Sequence, residues 1–196
     1  NIINPVDVEK YILIRRETLW FKEVSDFYEV IWNASALVKF KQNHQTIKDY
    51  KTSKTTWDNY VNDYYLMDTY YRKCYTTYFK SLDQLHSDLD DAIKDLLNYI
   101  ENLYKSWYLD DLGFVWTQSI KESMEQSYWL EYIPKQKDFY FDHVSKTLAS
   151  NKNVYVIVSD ALRYEVAKEL EATIKLELKS QTSIHSMQGI FRSEER

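Results

Sequence analysis

Asp160 closes an apolar, mostly β-branched run, Val154-Tyr155-Val156-Ile157-Val158, and stands with Ser159 ahead of a helical pattern from Ala161 to Leu170. An unbroken apolar run of this kind reads as a strand buried on both faces of a parallel sheet. Strand, turn and helix then make the first half of a βαβ unit. Ligands of open α/β sheets gather at the carboxyl ends of the strands. A carboxylate placed there has the hard oxygens that suit Zn²⁺, Mg²⁺ or Mn²⁺, so Asp160 is a candidate metal ligand. The plainer role for Asp160 or Ser159 is to cap the helix. Position and residue type favour the cap and leave the metal open.

Other side chains carry weaker signals. Arg163 could meet a phosphate near Asp160, although an ion pair with a neighbouring acid is the simpler expectation. His44, His86, His143 and His185 have no mutual spacing that suits a shared metal and read as structural or exposed. Cys74 has no nearby histidine to activate it and reads as a core residue. Being the sole cysteine, it forms no internal disulfide, which fits a reducing compartment. Asp68 and Arg72 are four apart on a helical pattern and are placed to pair. Lys39, Lys41, Lys48, Lys51 and Lys54 could touch phosphates, but a solvated charge run in a loop or exposed helix end is the plainer reading.

The elements that must position these groups are mostly helical. Asn4 and Pro5 make a cap and first position for one helix. Trp20, Val24, Phe27 and Ile31 form one apolar stripe at helical spacing. Tyr60, Tyr64, Met67, Tyr71, Tyr75 and Tyr78 share a helix face, which serves either as packing surface or, less simply, as a stacking platform for bases. Leu82, Leu85, Leu89, Ile93, Leu96, Ile100, Leu103 and Trp107 mark a second, longer helix. A short link at Lys80-Ser81 predicts an antiparallel hairpin. Gly113 is expected to break the chain. A further helix is expected from about Val115 to Tyr132, stopped by Pro134, and a short one over Phe139, His143 and Leu148.

Composition agrees. Two Gly and two Pro in 196 residues are too few for a sandwich or barrel with many tight turns. The net charge of −5 disfavours a globally basic nucleic-acid binder. No apolar run approaches the roughly twenty residues of a membrane span, and no signal segment stands at the start. These features predict a cytoplasmic protein without a membrane partner. Neither end of the chain looks natural, so the sequence reads as a fragment.

The stretch from Val154 to Leu170 resembles the opening motif of the PglZ domain of BREX phage-resistance systems, most like type 1. Its specific core is Ser159-Asp160-Ala161-Leu162-Arg163-Tyr164-Glu165. Pro134 to Tyr140, Asp68 to Arg72, Glu101 to Tyr104 and Trp107-Tyr108 also resemble the helical region that precedes that domain. The domain belongs to the alkaline-phosphatase superfamily. The resemblance implies that Asp160 is the first-strand metal ligand, that the intact domain uses two divalent ions (Zn²⁺ or similar), and that a Thr or Ser at a following helix start is the nucleophile. Met187 to Phe191 resembles the approach to that nucleophile, where the family continues Pro-Ser-x-Thr. Here Arg192 holds the Pro place and Glu195 the Thr place, while Thr182, Ser183 and Ser186 stand in an unmatched context. Two metals about 3.5–4 Å apart draw ligands from several strands, so this segment alone is expected to hold no metal stably and to be inactive.

The expected architecture is therefore a mainly α-helical region over residues 1–151. The truncated start of an alkaline-phosphatase-like α/β domain, one strand and one helix, follows over 152–196. The expected function is that of a segment of a metal-dependent phosphohydrolase or phosphodiesterase in phage defence. The alternative is a helical module that docks onto other subunits of the defence complex. Expected partners are other BREX-type defence proteins, with DNA a further candidate through the parent protein.

Overall fold

A computed structural model describes residues 4–44, 47, 52–82, 87–127 and 129–189. It is mainly helical. Asn4 accepts the Val6 N–H at 3.1 Å through its side chain and starts α1 (Pro5–Arg16), with Pro5 at the first position as its fixed φ favours. A 3₁₀ segment, Leu19–Val24, leads into α2 (Ser25–Asn43). That change of period breaks the predicted stripe: Phe27 and Ile31 pack on the core, whereas Trp20 is nearly half exposed.

The body of the molecule is a hairpin of two long, interrupted helices. In the first, α3 (Ser53–Asn59) passes through a π segment, Tyr60–Tyr64, into α4 (Tyr65–Ser81). The second runs from α5 (Ser87–Asn102) through a longer π segment, Leu103–Asp110, into α6 (Asp111–Gln126). Pairings between the two run in opposite order, Tyr78 with Asp90, Tyr75 with Glu101 and Asp68 with Tyr104, so the helices are antiparallel as expected, although Lys80 and Ser81, the expected link, belong to α4. Residues 83–86, which join them and include Leu85 and His86, lie outside the described residues.

Each π segment inserts an extra residue into the turn and shifts the phase of the buried face. Leu103, Tyr104 and Tyr108 therefore face inward together; in α5, Leu97 is buried with Ile93 and Ile100, while Leu96 is only partly so. Gly113 does not end a helix. It sits inside α6, where an added Cβ would meet nothing within 4 Å. The helix expected to reach Tyr132 stops at Gln126, with Ser127 extended beyond it.

The core joins Val30, Leu37 and Phe40 of α2 to Tyr64, Met67 and Cys74 of the first long helix and Ile93, Ile100 and Tyr108 of the second. Each such side chain contributes about 1.5–3 kcal/mol by leaving water. Tyr64 and Tyr78 are buried, so the tyrosine stripe is a packing surface. A short 3₁₀, π and α run over Gln136–Asp138, Tyr140–Val144 and α7 (Ser145–Ala149) follows. The last element among the described residues is α8 (Tyr164–Glu177).

The predicted strand is not formed. Among the described residues there is no strand, only an isolated parallel bridge between Lys135 and Gln188. In the apolar run, Tyr155 is 87% exposed, Ile157 91% and Val158 88%. The physical reason is that a parallel strand needs neighbours for both edges and both faces, and no described part of the chain lies alongside.

Candidate functional site

Asp160 lies in an exposed turn between the apolar run and α8. Its Oδ1 accepts the Ala161 N–H at 3.0 Å, and Ala161 takes a left-handed conformation, φ 56°. The helix expected from Ala161 begins at Tyr164, and Arg163 is its extended N-cap residue. Neither Ser159 nor Asp160 caps it. One carboxylate engaged at one oxygen fits a single position of a divalent-ion site and no more. No group of three or more His, Cys, Asp or Glu that could hold a metal occurs among the described residues. The expected nucleophile region, including Arg192 and Glu195, lies outside them.

The most concentrated chemistry sits one layer inward. Asp68, 4% exposed on α4, receives hydroxyls from both long helices. Tyr60 donates to its Oδ2 at 2.8 Å, Tyr104 donates to its Oδ1, and Tyr108 lies 3.2 Å from Oδ2. The single proton of Tyr108 is shared with the Tyr64 carbonyl oxygen at 3.0 Å. Burial, then the charge of Asp68, raises the pKa of Tyr60 and of Tyr108. For Tyr104 the causes are burial, then its hydrogen bond to Asp68. All three phenols are thereby kept as donors. Arg163 Nη2 completes the ring, 3.4 Å from Asp68 Oδ1.

Arg163 also meets Glu165, which is wholly buried, at 2.9 Å through Nε. The ion pair expected for Arg163 is therefore present, with two acids. Arg72 does not pair with Asp68. It turns to α8, where it bonds Glu169 and lies 3.7 Å from Glu165. The packing of α8 on α4 gives Arg72 better partners than a surface neighbour on its own helix.

Beside Asp68 opens a cavity of about 480 Å³ with largely apolar walls, among them Trp57, Tyr60, Tyr108, Trp116 and Gln188. Gln188 is held there by Leu130 N–H, which donates to its Oε1 at 2.8 Å, and by the backbone bridge to Pro134 and Gln136. Asp160 does not line this cavity.

The remaining candidates are accounted for locally. Cys74 is fully buried, and burial pushes its thiol up to about 12, so it is a core residue. His44 bonds Asp63 at 2.6 Å and the Phe40 carbonyl oxygen at 2.8 Å, while the rings of His143 and His185 lie 5.0 Å apart. Of the lysine cluster, Lys39 pairs with Glu9, Lys54 with Asp58, and Lys41 lies over Trp107. Lys39 and Lys41 belong to α2 and Lys54 to α3, while Lys48 and Lys51 lie outside the described residues. No helix among the described residues is long and apolar enough to cross a membrane.

Comparison with known proteins bears on the whole chain. Residues 139–196, which carry the Asp160 turn and α8, match the family described as the BREX system PglZ alkaline phosphatase-like domain. The alkaline phosphatase-like protein PglZ of Bacillus cereus (strain H3081.97) is 32% identical over 192 residues, 95% of this chain and 22% of that protein. The chain is similar to this PglZ protein over nearly its whole length. A second, the alkaline phosphatase-like protein BrxZ of Escherichia coli O9:H4 (strain HS), is 31% identical over 94% of this chain and 22% of its own length. The chain thus spans about a fifth of the length of these two relatives. No solved structure matches it.

Proposed function

We propose that this chain is a segment of a PglZ-like metal-dependent phosphohydrolase or phosphodiesterase of a bacterial phage-defence system. Residues 1–151 serve as the helical region that precedes the catalytic domain, and residues 152–196 open that domain. The observation that supports this most is the order of apolar run, Asp160 turn and α8 inside the matched stretch. In a longer protein, strands from outside the chain would flank residues 154–158, whose apolar side chains from Tyr155 to Val158 face solvent here. Asp160 would then stand at a strand end as one ligand of a divalent ion. Such an ion, when bound, lowers the pKa of a coordinated hydroxyl or water and offsets charge on phosphoryl oxygens. Of the described residues, Asp160 alone is assigned to it. The other ligands and the nucleophile would come from outside the described residues, so the segment by itself is inactive.

The test uses the full-length protein. Asp160→Asn should abolish metal-dependent hydrolysis of a phosphodiester and leave the melting temperature unchanged. Activity retained in that variant would remove Asp160 from the site. Phosphodiester hydrolysis by the 196-residue chain above a metal-free control would overturn its inactivity.

A second reading, docking onto other proteins of the defence system, is favoured by large apolar side chains left outside the helical core. Phe79, Phe114 and Phe141 are each more than 60% exposed. Co-expression of the chain with the other proteins of its system should give co-purification that Phe79→Ser with Phe114→Ser weakens. Absence of any complex would count against docking.

A further inference from the structure

The face that α8 turns to the helical body is charged on both sides and balances. Asp68, Glu165 and Glu169 stand against Arg72, Lys73 and Arg163. Arg163 is the centre of this set. It is the last residue before α8 and three residues beyond Asp160. Its guanidinium bridges Glu165, at 2.9 Å, and Asp68, at 3.4 Å. Glu165 is fully buried and Asp68 nearly so, which limits access for a competing cation from solvent. The next residue adds a second tie: Tyr164 donates its hydroxyl to the Val61 carbonyl oxygen at 3.1 Å, in the first π segment.

The turn upstream lacks such support. Residues 155–162 are all exposed, and Ala161 holds a left-handed φ that non-glycine residues adopt at a cost. The ties to the helical body lie at its downstream end, through Arg163 and Tyr164. We propose that Asp68 is a positioning residue for the Asp160 carboxylate: by gripping Arg163 from the helical body, while Glu165 of α8 steadies the same guanidinium, it sets where Asp160 is presented. The functional consequence rests on the reading of Asp160 as a metal ligand, whereas the grip itself does not. It gives the helical region a second task besides docking, as the template on which the first corner of the catalytic domain is held.

The grip is tested by electron–electron distance measurement between spin labels at Ser159→Cys and Thr76→Cys, both exposed sites, with buried Cys74 resisting the label. The expected result is one narrow distance distribution. It should broaden about twofold in Arg163→Met and in Asp68→Asn, and narrow again in Arg163→Lys. Should Arg163→Met fail to fold, Tyr164→Phe removes only the second tie and should broaden the distribution by itself. A broad distribution in the unchanged chain, or no broadening in any variant, overturns the proposal. In the full-length protein, Asp68→Asn should raise the metal concentration for half-maximal hydrolysis tenfold or more with KM unchanged. An unmoved metal requirement denies the positioning role. If instead the distances behave as expected and Asp160→Asn stays active, the ligand reading falls and the grip stands.

Discussion

Tyr71 on α4 donates its hydroxyl to Oε2 of Glu101 on α5 at 2.6 Å, and the Tyr75 hydroxyl, one turn farther along, reaches the same oxygen. Lys105 bonds the other oxygen at 2.5 Å. The Tyr71 ring also lies parallel to Tyr104, with centroids 3.9 Å apart. Polar and aromatic contacts thus fasten the two long helices at one height.

Lys105 first, then the two phenols, draw the Glu101 carboxyl down to about 2 from its usual 4.5. A depressed acid contributes stability that is fully present above its unfolded pKa and is lost as pH falls through its folded pKa. Between about pH 4.5 and 2 the unfolded chain binds the proton and the folded chain does not, so stability falls with acid there. Glu101→Gln should lower stability by about 1–2 kcal/mol at pH 7 and flatten that acid limb. Urea midpoints at pH 3, 5 and 7 measure both effects, and parallel curves for the two proteins would contradict the assignment.

The exposed apolar run gives a prediction by contrast. Ile157→Lys, at a side chain 91% exposed, should change the stability of this chain by less than about 0.5 kcal/mol. Ile100→Ala, at a side chain with no exposure, should cost about 2–5 kcal/mol. Equal losses in equilibrium unfolding would mean that the run packs within the chain.

Gly113 lies in mid-helix with open space where its Cβ would be. Gly113→Ala should raise stability by about 0.5–1 kcal/mol, because alanine loses less backbone freedom on folding. Thermal or urea unfolding reads this directly. A loss of stability would mean that the helix does need a break at this position.

The Cys74 thiol, buried and pushed up to about 12, is mostly un-ionised at pH 8, where a disulfide exchange reagent needs the thiolate. Labelling in the native chain should be at least about a hundredfold slower than in urea, since it waits on opening of the core. Comparable rates would place Cys74 at the surface.

The helical body was legible because its apolar residues keep a helical period over many turns. Asn4-Pro5 and the stripes through Tyr64 and Ile100 needed no tertiary information. Gly113 misled because glycine tolerates a helix interior when packing on either side carries the helix through it. The run at residues 154–158 misled for a different reason: its β character expresses a demand for neighbours that this length of chain does not meet. The cluster around Asp68 was hidden because acids on a helix read as surface. The available sign was that Asp68 falls one residue after Met67, on the edge of a stripe of tyrosines whose hydroxyls need acceptors once buried.

The two π segments have a consequence for how this architecture can change. Taking one residue out of 103–110 would leave a continuous helix, yet swing everything after the cut by roughly 100°. Tyr108 would then no longer look toward Asp68, although every residue around it kept its chemical type. Length, more than composition, decides which row of phenols meets the acid, so a single-codon deletion could re-aim the seam in a way that no point substitution can.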